Sequence, residues 1–360
     1  MSRAFLPTPT FHIVLGEIAR IASVAVVALL LPLGLVTVAA AQDAGNIETL
    51  RAVASLPPGT VGLFREPTAC QRTADGHTYV FDRRAHAVYR VVPDGHASQI
   101  VQIGPEPGRL LLASSFHLGP NGRFVVADAP RGRERVQIFG GDGTRLGGFT
   151  LPGRATPRVR LGSLVLNGIG SLQFTGRTIL MNQPELGGLV SEFTLAGHPF
   201  RTFGVFRRGP DDTDREVSLA LNSGIPLVNP TGGYFFVFQT GEPSFRKYDA
   251  QGALIYHRSI HGRELDPIVA ALPTTWPRRT DEEGRQLPVV PTTVRTAGVD
   301  AGGNLWVALT TPFIYVYSPD GEKIRTVRLR GARALQPNSL WFSPANRLLV
   351  TPGCYEFDAR

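Results

Sequence analysis

The sequence predicts an all-β fold, a six-bladed β-propeller with four-stranded blades, on three observations. A turn residue followed by a short aromatic or β-branched run recurs six times along the 360 residues. A second turn marker trails the first five copies by a near-constant 18 to 21 residues, although the copies themselves lie 43 to 70 residues apart. The sixth copy has no second marker, so its outer strand is expected from elsewhere in the chain. A unit of fixed length joined by elastic connections marks a repeat architecture, and four short strands per unit make a propeller blade.

The first element is an address. Residues 21–41 are apolar apart from Ser23 and Thr37, Arg3 and Arg20 precede them, and the run closes on Ala39-Ala40-Ala41. Small residues beside the scissile bond suit a signal peptidase. Residues 1–41 are therefore expected to be a signal peptide cleaved after Ala41, leaving residues 42–360 as a propeller domain in the periplasm or outside the cell. Pro32 and Gly34 weaken the alternative, an uncleaved membrane anchor. No later stretch is long and apolar enough to span. Next come Ile47 to Leu56, where Leu50, Ala52, Ala54 and Leu56 alternate as in an edge strand. They are expected to complete blade six and close the ring, which hides strand edges. The alternative is a short helix with Leu50 and Val53 on one face.

The six runs begin at Gly76, Gly122, Gly176, Gly233, Gly303 and Asn346. Each reads as the second strand of its blade, entered through a residue that tolerates positive φ. The trailing markers, Asp94-Gly95, Asp142-Gly143, Ala196-Gly197, Gln251-Gly252 and Asp320-Gly321, sit between strand-like runs as tight hairpins do. In such a unit the inter-blade connections share one face with the turns between second and third strands, and the short hairpins lie on the other. Two connections are long, roughly 205–225 and 258–291. Long loops on a rigid scaffold commonly carry function, so that face is the expected working face. The alternative is that these are neutral insertions or caps packed over the channel.

Blade two, Gly122-Arg-Phe-Val-Val-Ala-Asp128 followed by Arg135-Val-Gln-Ile-Phe139, resembles an NHL-type repeat, and the chain resembles the wider set of secreted bacterial six-bladed propellers. Asp75 to Asp82 and Gly303 to Ala308 follow the pattern less fully. The resemblance implies the fold and leaves the activity open. Secreted lactonases and amidating lyases of similar fold gather Glu, Asn, Asp or His from inner strands around a central metal.

Composition narrows the classes of function. Gly 40 and Pro 29 are too few for a low-complexity chain, and two cysteines exclude a disulfide-dense mini-protein and a four-cysteine zinc site. The formal charge of +8 falls to +7 on removal of residues 1–41. Arginines gather in the connections, but Asp211, Asp212, Asp214, Asp281, Glu282 and Glu283 stand beside several of them, Arg278 and Arg279 included. Nucleic-acid binding wants a denser basic patch interleaved with aromatics and is not expected. Arg154, Arg158 and Arg160 have no nearby acid and suit an anionic partner.

The inner strands offer Gln71, His117, Gln173, Arg295 and Asn338, one imidazole and no carboxylate. That set suits a polar channel lining or satisfied packing better than a cage for a divalent cation, so no metal, cofactor or catalytic set is assigned. Cys70 falls in the first inner strand and Cys354 opens the last third strand. They are either a disulfide locking the ring, as an oxidising compartment permits, or two free thiols, because inner and third strands are not adjacent. The expected function is a monomeric, non-catalytic binding scaffold for a protein or an anionic cell-envelope ligand. The alternative is a metal-dependent lactonase- or lyase-like enzyme with calcium or zinc in the central channel.

Overall fold

Turn chemistry sets the strand boundaries. All six turn residues adopt positive φ, from 58° at Asn346 to 89° at Gly176. At Gly233 the requirement is also steric, because a Cβ would sit 2.1 Å from the Tyr248 carbonyl oxygen. The computed structural model describes residues 47–152, 169–208, 214–280 and 284–360, and the backbone alone of 157–161 and 164–167. The expected signal peptide and its cut after Ala41 lie outside the described residues.

In chain order, β1 (Ile47–Arg51) and α1 (Pro58–Val61) lead into blade one, β2 (Pro67–Arg72), β3 (Thr78–Asp82), β4 (Ala87–Val91) and β5 (Ala97–Val101). Blade two is β6 (Ser115–Leu118), β7 (Phe124–Asp128), β8 (Arg135–Phe139) and β9 (Arg145–Thr150), followed by an inserted hairpin, β10 (Pro157–Leu161) and β11 (Leu164–Asn167). Blade three is β12 (Leu172–Phe174), β13 (Thr178–Met181), β14 (Val190–Thr194) and β15 (Pro199–Phe203), followed by α2 (Arg215–Leu221). Blade four is β16 (Gly224–Val228), β17 (Tyr234–Phe238), β18 (Ser244–Tyr248) and β19 (Leu254–Ser259), followed by α3 (Asp266–Ala270) and a second hairpin, β20 (Arg278–Thr280) and β21 (Gln286–Pro288). Blade five is β22 (Val294–Val299), β23 (Leu305–Leu309), β24 (Ile314–Tyr317) and β25 (Lys323–Arg330); blade six is β26 (Ser339–Phe342), β27 (Arg347–Thr351) and β28 (Tyr355–Asp358). Each blade is an antiparallel meander. The fold is the predicted six-bladed propeller. Among the described residues no helix is long and apolar enough to cross a membrane.

The core explains why the second strands read as continuous apolar runs. Their alternate residues serve two different neighbours. Phe124 and Val126 pack with Phe81 and Val88 of blade one, while Val125 and Ala127 pack with Ile179 and Met181 of blade three. Phe235 and Val237 face blade five, and Phe236 and Phe238 face blade three. Such a strand is buried on both faces, so strict alternation of polarity disappears. An apolar cluster of this kind fills each of the six junctions between neighbouring blades.

Ring closure departs from the expected pairing. Ile47–Arg51 does not pair with blade six. It runs parallel to Thr326–Arg330 at the outer edge of blade five, with Glu48 bound through both carboxylate oxygens to Arg325 at 2.8 Å. The chain then crosses to blade six, where Val53 N–H donates to the Glu356 carbonyl and Glu356 N–H to the Ala54 carbonyl, each at 2.8 Å. The N-terminal segment thus clasps two blades, and blade six gets its fourth position from a two-residue bridge. The physical reason is the length of β25: its eight residues outrun β24 and leave an edge that takes a full strand. The helical alternative for this segment is excluded by the same pairing.

Blades one and six are further joined by a Cys70–Cys354 disulfide with a Cα–Cα distance of 5.7 Å. Cys354 lies in the turn before β28 rather than in the strand, at φ 49°, and this lifts the geometric objection to the bond. Arg72 and Glu356 add a salt bridge at 2.6 Å across the same joint.

Candidate functional site

Inner strands of a propeller have one unpaired edge, and their backbone groups need partners. The polar inner-strand residues supply them. Gln71 Oε1 accepts from Leu118 N–H of the next blade at 2.6 Å, His117 Nδ1 from Phe174 N–H at 3.2 Å, and Gln173 Oε1 from Val228 N–H at 3.4 Å. One structural position is thus reused in blades one, two and three to stitch each inner strand to its neighbour. Arg295 of blade five does the same towards blade six through its donors, reaching the Pro337 carbonyl at 3.3 Å and Asn338 Oδ1 at 2.5 Å. Asn338 immediately precedes β26 rather than lying in it. The five residues thus take part in ties at four of the six blade junctions. Among the described residues no group of three or more His, Cys, Asp or Glu is placed to hold a metal ion.

His117 accepts through Nδ1, so its neutral form carries the proton on Nε2. Burial in the channel pushes its pKa down to about 4 from 6.5. The unfolded chain therefore binds a proton between about pH 6.5 and 4 that the folded protein does not, and stability falls as pH drops through that window. A sealed site would cost about 3 kcal/mol; the ring keeps partial access to the channel, and channel water reduces the expected loss to about 1–2 kcal/mol. Urea unfolding between pH 7 and 4 should show this slope in the parent and not in His117→Gln. Parallel curves for the two proteins would refute the assignment.

A second series lies six residues after the turn glycines, where the strand meets the opposite face. Asp82 accepts from Arg65 and Glu66 N–H, Asp128 from Leu111 N–H at 3.1 Å and from Arg135, and Asn182 from Gly224 N–H at 3.0 Å. These buried side chains fix the inter-blade connections. The fixed offset from each glycine was present in the sequence as the signal for them.

The connections themselves build a cap. The hairpin β10–β11, helix α2 and the hairpin β20–β21 come from three successive inter-blade connections and pack against one another. Ala220 and Val290, with Leu221 and Trp276, form a small apolar core of the cap. Asp214 caps α2 through Glu216 and Val217 N–H, both at 3.2 Å. Arg278 joins the hairpin to the helix by ion pairs with Asp214 and with Glu216, the latter at 2.8 Å. Burial raises the Asp214 pKa, but the hydrogen bonds from Arg278 and the backbone outweigh it and hold the carboxyl below its ordinary value. At the other end of α2, Arg207 donates to the Leu221, Thr240 and Glu242 carbonyls.

Arg278 is thus a structural tie within the cap, with its forks engaged. Arg279 stands exposed beside it. Arg154 and the side chains of Arg158 and Arg160 lie outside the described residues; the backbone places Arg158 and Arg160 on β10, within the cap. The long connections at 205–225 and 258–291 are two of the three components. The connection after Thr150 is the third, and its length between β9 and β12 is the signal that sequence reasoning passed over.

No protein-family model and no curated protein matches the sequence. Several solved structures are similar to it. A streptogramin B lyase has 11% identity and a TM-score of 0.45, over 81% of this chain and 92% of that one. A selenomethionine-substituted virginiamycin B lyase from Staphylococcus aureus has 9% identity and a TM-score of 0.47, over 84% and 96%. The WD40 β-propeller domain of Doa1 has 9% identity and a TM-score of 0.45, over 85% and 95%.

Proposed function

We propose that the protein is an exported, non-catalytic binding scaffold of the NHL-like kind, whose partner, a protein or an anionic envelope ligand, docks on the capped face. The observation that carries this reading is the cap: three successive connections are elaborated on one face and packed into a unit, while the hairpins of the opposite face stay short. Loops held on a rigid scaffold are where binding residues concentrate. The polar side chains of the channel are engaged in ties between blades, which supports a structural role for them. The Cys70–Cys354 bond supports an oxidising compartment, periplasmic or extracellular. Arg279, exposed on β20, gives the cap a basic residue suited to an acidic partner surface.

Deleting residues 278–286 tests the reading. The Val289 N–H already donates to the Pro277 carbonyl at 2.7 Å, so the stem can close without the hairpin. Folding should survive, and retention of partners recovered from an envelope fraction should be lost. Retention equal to that of the parent would count against the capped face. Metal analysis of the purified protein, expected to show no stoichiometric metal, separates this reading from a channel enzyme.

A further inference from the structure

A cleft of about 480 Å³ opens beside the junction of blades three and four, between the turn at Gly187 and Gly188, the strand end and connection Thr202–Arg208, and Ser218 of α2. This volume falls in the range of small-molecule sites. Its apolar wall includes Phe206 and Val205, the latter 73% exposed.

Among the described residues, arginines border the cleft. Arg201 nearby is paired with Glu192 at 2.6 Å. Arg207, Arg208 and Arg246 have no ion-pair partner among the described residues. The guanidiniums of Arg207 and Arg246 both lie over the Phe238 ring, 3.9 and 5.2 Å from its centroid. Arg246 donates to the Val205 carbonyl on the cleft wall. The Tyr248 hydroxyl lies beside Arg246, 2.8 Å from where a Cβ on Gly204 would be. Arg208 stands exposed on the rim. Glu242 acts on this cluster, and burial, Arg246 and Arg207 together hold the nearby His257 below its ordinary pKa. Cations beside a cavity raise its potential and favour an anion there.

We propose that this cleft binds a small organic anion, a phosphate or carboxylate carried on an apolar or aromatic body. The anionic group meets Arg208 at the rim, in the field of Arg207 and Arg246 behind the wall, and the apolar body covers Val205 and Phe206. The cleft borders α2 of the cap, and its lining does not include residues 278–286.

Phenyl phosphate is the probe, with inorganic phosphate and phenol as its two halves, titrated into the purified protein by calorimetry and followed by thermal shift. Saturable one-to-one binding of phenyl phosphate is expected, at least roughly tenfold tighter than either half, with a raised melting temperature. Arg208→Ala and Val205→Asp, both at exposed positions, should each weaken it by roughly tenfold or more at unchanged melting temperature of the free protein. Absence of saturable binding, inorganic phosphate binding as tightly as phenyl phosphate, or unchanged affinity in Arg208→Ala would each overturn the proposal.

Discussion

Asp128→Ala is expected to destabilise the protein by about 3–5 kcal/mol, the cost of leaving a buried cation without its partner. Asp128 is almost fully buried at the end of β7, and its carboxylate receives Arg135 Nε at 2.9 Å, Arg135 Nη2 at 2.6 Å and Leu111 N–H at 3.1 Å. Arg135 also donates to the Pro105 and Arg109 carbonyls, each at 3.0 Å. The pair thus ties the connection between blades one and two to blade two. Removing the carboxylate strands the guanidinium and one backbone donor together. Denaturant unfolding should therefore show the single variant well below the double variant Asp128→Leu/Arg135→Met, in which no charge remains to be solvated. A single variant within about 1 kcal/mol of the parent would refute the account of this network.

Cys70→Ala/Cys354→Ala is expected to lose about 2–5 kcal/mol while keeping the native fold. The bond spans 284 positions, so by chain-entropy reasoning it constrains almost the whole unfolded chain. The fold should persist because blades one and six are also held by an apolar cluster around Val80 and Leu349, by Arg72–Glu356, and by the N-terminal clasp. Reductant should lower the unfolding midpoint of the parent and leave that of the variant unchanged. Identical parent midpoints with and without reductant would contradict a stabilising closure bond.

The repeat was legible because it rests on local chemistry. A turn residue at positive φ and a buried β-forming run are demanded by each blade separately, so Gly76 through Asn346 announced all six second strands. The clasp was legible only as a strand. Leu50 and Ala52 carry the alternation that buries one face, but which edge they join depends on how far β25 extends and on where Arg325 meets Glu48, and both are tertiary facts. The channel residues were legible as polar positions on inner strands. Their role as ties was not, because Gln71 and Leu118 are far apart in sequence and their hydrogen bond exists only once the ring curves. The cap was legible as two long connections and escaped as a unit: Trp276 meets Val290 and Ala220 only after three connections converge.

Whether the capped face is the binding surface turns on the affinity of one identified partner for the parent and for the 278–286 deletion. The deletion should keep its melting temperature within about 4 °C, as expected for loss of surface ion pairs, and bind the partner at least roughly tenfold more weakly. Equal affinity of the two folded proteins would contradict it.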